Sequence, residues 1–157
     1  MTADASTPPR INPDQALVLD FLREPGMPRR VDTNPVALDV QAELLRWDAQ
    51  GGWLHCGFLA DARHTQGNAA VHGGIVTTML DFGLAFAVLG RLPEGRSAAT
   101  VSLNMQFERA VQPGSLRVRA RVDRLGARLA FAAGELYRDG AEGDVLARAS
   151  AVMALLG

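Results

Sequence analysis

The 157-residue chain has no lysine, so all 16 of its basic side chains are arginine. Either residue serves a solvated surface, but forked contacts to phosphate favour arginine. Cysteine is almost absent: Cys56 stands alone. One thiol makes no internal disulfide and supports no structural zinc site of the usual kind, so no metal and a reducing, cytoplasmic setting are expected. Met1 to Pro9 lacks a basic segment followed by an apolar stretch, so no secretion signal is expected. The most apolar run, Ile75 to Leu89, is shorter than the roughly 20 residues that span a bilayer and carries Asp81, so no membrane partner is expected. A net charge of −1 argues against a general nucleic-acid partner.

With 48% hydrophobic and 21% charged residues, the composition is that of an ordinary globular protein. The pattern predicts a tail over residues 1–12 and a short capping helix from Asp14 to Leu22, together making up residues 1–35. Residues 36–157 form the main domain. Met27 to Pro35 reads as a loop, followed by strands over Val36–Trp47 and Trp53–Ala60.

Apolar residues then recur at Ile75, Met79, Phe82, Phe86 and Leu89, with Leu80, Leu84 and Val88 on another side. That spacing predicts a helix over residues 73–90, apolar nearly all round and therefore buried. Beyond it, Val101, Leu103, Met105 and Phe107 alternate with polar residues, as do Leu116, Val118, Ala120 and Val122. Two more strands are expected near Arg128–Arg138 and Val145–Leu155, the former with poor alternation. An α+β fold with an antiparallel sheet curved around one long helix is the economical packing.

Asp81 is the single acidic or basic residue of the helical stretch. An unpaired buried carboxylate costs several kcal/mol, so Asp81 is either tied to a structural partner or kept for chemistry. The approach to the helix, Gly67 to Gly74, is glycine-rich. Free N–H groups at a helix start attract negative charge, and glycine lets a ligand come close. Gly73-Gly74 is thus either a turn or an oxyanion site. Asp81 lies seven residues past Gly74, roughly 10 Å along the axis. If both act on one carbonyl, they come from different subunits, as two antiparallel helices about a two-fold axis would arrange.

The run from His72 to Asp81, HGGIVTTMLD, resembles the signature of the phenylacetate-pathway (PaaI-type) hotdog thioesterases. Ala99 to Arg109 and Pro113 to Leu116 are similar to that family's strands after the helix. The resemblance spans about residues 36–155. It implies a hotdog fold, hydrolysis of acyl-CoA thioesters without a cofactor, and dimers that pair into tetramers. It gives Asp81 the part of catalytic carboxylate, Gly73 that of the N–H polarising the carbonyl, and His72 that of organising the loop. Where the family often has an asparagine six residues before the histidine, this chain has Gln66, with Asn68 two residues on. Thr100 falls near the carboxylate in the family pattern. Asn68, Gly74, Thr77, Phe82 and Arg109 are candidate substrate contacts, with Met79 and Phe86 in an acyl pocket.

Coenzyme A phosphates favour arginine, and Arg91, Arg96, Arg109 and Arg128 border the helix end and strand edges. His55 and His64, each alone in a strand or loop, read as structural. Two other functions fit the same residues. One is a hotdog hydratase or dehydratase recruiting His72 and Asp81; the other is a non-catalytic acyl-CoA-binding module.

Overall fold

The computed structural model describes residues 12–157; the tail expected over residues 1–12 lies, except for Asn12, outside them. Helix α1 (Pro13–Arg23) starts where Asn12 accepts the Asp14 N–H at 3.0 Å, an N-cap followed by proline at the first position. Buried Gln15 ties α1 to the rest, donating to Pro93 O and accepting from Gly95 N, both at 2.9 Å.

The strand expected from Val36 is corrected: it begins only at Glu43. Asn34 accepts the Ala37 N–H at 2.8 Å and Pro35 fills the first helical position, so a short helix α2 (Pro35–Asp39) forms first. Within the expected loop, β1 (Arg29–Arg30) pairs with β2 (Glu43–Asp48).

The remaining elements are β3 (Trp53–Ala60), α3 (Gly73–Leu89), β4 (Ser97–Phe107), β5 (Gly114–Leu125), β6 (Leu129–Arg138) and β7 (Val145–Leu156). All strand pairs are antiparallel, in the order β1-β2-β3-β5-β6-β7-β4, and α3 packs across β3 to β7. Leu116, Val118 and Ala120 of β5 face α3, while Arg117 and Arg119 face outward and pair with Asp139 and Glu135. Val76, Met79, Leu80, Leu84 and Val88 of α3 fill the space between, each at most 1% exposed. Each such burial contributes about 1.5–3 kcal/mol.

Two expectations need correction. The helix is not buried all round: Gly74 is exposed, and Thr77, Thr78, Asp81, Phe82 and Ala85 are half-buried, because the sheet covers only one side. Met79 belongs to the sheet-facing side and is fully buried. The alternation of β4 also breaks. Register shifts between Thr100 and Ser102, leaving Val101 as a bulge that is 63% exposed.

Candidate active site

The bulge decides where Thr100 points. Thr100 pairs with Met153, and Leu103 with Ala151, both inward-facing residues of β7. The inward set therefore changes from even to odd numbers across Val101, and Thr100 joins the helix side. Its hydroxyl donates to Asp81 Oδ1 at 2.9 Å. Asp81 Oδ2 has no partner among the described residues. The carboxylate lies in the wall of a cleft of about 400 Å³ with Thr78, Phe82, Ala85 and Phe86. Phe82 and Phe86 stack at 5.9 Å between ring centres.

At the start of α3, His72 is the N-cap, and its Nδ1 accepts the Gly74 N–H at 2.9 Å. With Nδ1 accepting, Nε2 is the ring nitrogen that carries the proton. His72 O receives the Ile75 N–H at 2.9 Å and the Val76 N–H at 3.2 Å. The Gly73 N–H is left without an acceptor among the described residues. Of the two glycines, then, Gly73 holds the free donor and Gly74 does not.

Gly73 lies in the wall of a second cavity, of about 420 Å³, with Gln66, Val76, Phe107 and Arg109. A carbonyl oxygen bound at Gly73 leaves its carbon about 1.2 Å away, while Asp81 is eight residues further along α3, roughly 12 Å. Within one chain the two groups do not meet on one carbonyl.

The other candidates divide. Gln66 lines the Gly73 cavity, whereas Asn68 turns back, its Oδ1 accepting the Ala70 N–H at 3.3 Å. The Thr77 hydroxyl is spent on Gly73 O at 2.8 Å. Arg109 donates to Asp144 and to Val145 O while bordering the Gly73 cavity. Arg91, Arg96 and Arg128 are not in its wall; Arg96 bonds Leu156 O at 3.1 Å instead.

Both remaining histidines are internal fixtures. Buried His64 accepts the Asp61 N–H at 3.0 Å and meets Asp39 Oδ2 at 3.1 Å. His55 sits between Arg46 and Tyr137, and burial, aided by the Arg46 charge, holds its pKa below the usual imidazole value.

The thioesterase superfamily matches residues 68–143, which include Gly73, Asp81, Thr100 and Arg109. A protein of Ralstonia eutropha related to phenylacetic acid degradation, provisionally named a thioesterase, is 32% identical. The match covers 78% of this chain and 93% of that one, with a TM-score of 0.70. The chain belongs to the thioesterase superfamily.

Its fold is the hotdog fold. The PaaI protein from the Escherichia coli phenylacetic acid degradation operon superposes with a TM-score of 0.72, covering 94% of this chain and 96% of that one; at 16% identity the likeness is one of fold. A Pseudomonas aeruginosa protein with a provisional esterase name is 35% identical over 78 residues, 49% of this chain and 58% of the relative.

Against this thioesterase frame, sequence reasoning missed three polar residues of the Asp81 cleft, Asp14, Asn34 and Thr78, and three apolar ones, Val36, Ala85 and Leu89. The Asn34-Pro35 pair, a cap followed by proline, was the available sign that residues 34–39 turn toward the helix.

Proposed function

We propose that this thioesterase hydrolyses acyl-CoA thioesters at a site shared by two copies of the chain, Gly73 and Gln66 from one and Asp81 and Thr100 from the other. The observation that carries this is the pairing of an unused N–H at Gly73 with an unused carboxylate oxygen at Asp81, roughly 12 Å apart on one helix.

A second copy fits the open surface. Strand β4 is a sheet edge 11 residues long, and Val101 and Phe107 on it are 63% and 53% exposed. Long apolar edges are covered in stable proteins. Pairing two β4 edges about a two-fold axis brings the open faces of the α3 helices into antiparallel register, each Asp81 toward the other Gly73.

In the proposed reaction, the thioester carbonyl accepts the Gly73 N–H, and charge developing on its oxygen is stabilised there. Asp81 Oδ2 takes a proton from water as the water oxygen bonds to the carbonyl carbon. The C–S bond then breaks, and the departing CoA thiolate recovers the proton. Direct attack by Oδ2 to form an anhydride uses the same free oxygen. In a single turnover in ¹⁸O-water, acid that carries no label reports the anhydride route with water attacking the Asp81 carbonyl, since the bridging oxygen from Asp81 then leaves with the acyl group.

Thiol release from a panel of acyl-CoAs tests the reading. Asp81→Asn is expected to lower kcat by at least about 10²-fold. Wild-type kcat in that variant on every substrate would overturn it. Loss of the double bond of an enoyl-CoA without thiol release would favour a hydratase.

A further inference from the structure

Gln66 and Gly73, which share a wall of the Gly73 cavity, hang from one loop. Residues 65–71 leave the short helical turn Ala62–His64 and return to the start of α3. The loop is closed at its base. There the His72 N–H donates to His64 O at 2.8 Å, and Thr65 and Val71 pair as antiparallel neighbours. A trans peptide aims its N–H and its C=O in opposite directions. Because His72 O takes the Ile75 and Val76 N–H groups, the Gly73 N–H points back out of the helix, and the bond from His72 to His64 sets where that peptide begins.

The acceptor in that bond is fixed by its own side chain. His64 is buried, with 3% of the side chain exposed. Its Nδ1 accepts the Asp61 N–H at 3.0 Å, while Asp61 Oδ1 accepts the Arg63 N–H at 3.0 Å, so a capping box closes around the turn. That leaves the proton on Nε2, which donates to Asp39 Oδ2 at 3.1 Å. The ring thereby braces the turn against the end of α2. The other polar side chains of the loop bond locally, Thr65 to Ala62 O and Asn68 to the Ala70 N–H. The side-chain tie to α2 runs through His64 and its exposed neighbour Arg63, which donates to Asp39 O at 3.0 Å.

We propose that His64 is a positioning residue: bonded to Asp61 and Asp39, it holds its own carbonyl where the His72 N–H meets it, and so aims the Gly73 N–H at the thioester carbonyl. The proposal rests on the thioesterase reading for what Gly73 binds. A donor misplaced by about 1 Å costs up to about 10²-fold in rate. The loss falls on kcat, because the N–H bond strengthens as charge develops on the carbonyl oxygen.

His64→Ala is expected to lower kcat about 10- to 50-fold with KM within about twofold. His64→Asn keeps an acceptor for the Asp61 N–H, and Asp39→Ala changes a half-exposed residue. Each removes one of the ring's two bonds and should cost about 3- to 10-fold, and these two carry the test if His64→Ala does not fold. Infrared spectra of a ¹³C-carbonyl acyl-CoA bound to Asp81→Asn report the hydrogen bond directly: the stretch lies below that of the free thioester and returns toward it when His64→Ala is added. Hydrogen exchange at the His72 amide, read without substrate, should quicken at least about tenfold in His64→Ala and detectably in the two milder variants. Wild-type kcat in the variants, a loss carried by KM alone, or an unmoved carbonyl stretch overturns the proposal. A stretch not lowered at all in Asp81→Asn would sink the part given to Gly73 instead, while unchanged exchange at His72 would still refute the part given to His64.

Discussion

Thr100 Oγ1 donates to Asp81 Oδ1 at 2.9 Å because one extra residue, Val101, resets the phase of β4. The bond occupies one carboxylate oxygen and leaves the other for chemistry. Thr100→Val is expected to lower kcat about 5- to 50-fold, the worth of a hydrogen bond to a charged group, while Thr100→Ser restores most of it. A loss in Thr100→Ser with none in Thr100→Val would mean that the threonine methyl, not the hydroxyl, matters.

Gly83 sets how closely α3 approaches the sheet. A Cβ there would lie 2.5 Å from Val118 Cγ1, a distance at which something must shift. Gly83→Ala gains helix propensity but overpacks the core, so a net loss of about 1–3 kcal/mol in urea unfolding is expected. A stabilised variant would show that the helix sits further from β5 than described.

Burial pushes the Cys56 thiol up to about 12 from 9.0. Between those values the unfolded chain loses a proton that the folded chain keeps. The contribution to stability is therefore intact below about pH 9 and declines above it, by up to about 1.4 kcal/mol per pH unit. Urea unfolding of Cys56→Ala should show a shallower alkaline decline than wild type. Cys56 should also stay unlabelled by thiol reagents at neutral pH in the folded protein.

Arg109 borders the Gly73 cavity, and both of its hydrogen bonds among the described residues use Nη2. If it meets a CoA phosphate, Arg109→Ala raises KM by about 5- to 20-fold with kcat little altered. A lower kcat at unchanged KM would place it in the chemistry instead.

The long helix and three of the four following strands were legible because their apolar periods are long. Strand β6 was blurred because its inward positions include Ala130, Ala132 and Gly134, small residues that carry little hydrophobic contrast. The bulge at Val101 was invisible because an apolar residue in phase with Leu103 looks like core. Asp81 and Gly73 stood out as an acid in an apolar run and a glycine at a helix start. The half-exposure of Asp81 did not, since periodicity does not say which side of a helix its own sheet leaves open. Asp14 carried no local sign, because it reaches the cleft only through the packing of α1.

In the proposed dimer each site takes its N–H from one chain and its carboxylate from the other. Gly73→Pro removes that N–H at a position where helices accept proline, and the extended backbone of His72 (φ −60°, ψ 137°) suits the residue before it. Gly73→Ala keeps the N–H and is the control. Gly73→Pro and Asp81→Ala, each expected to lose about 10²- to 10³-fold in kcat, would be unfolded together in equal amounts and refolded. Random pairing into dimers makes half of them mixed, each with one intact site, so roughly a quarter of wild-type activity should return. Activity no higher than that of the two variants refolded separately would contradict the shared site.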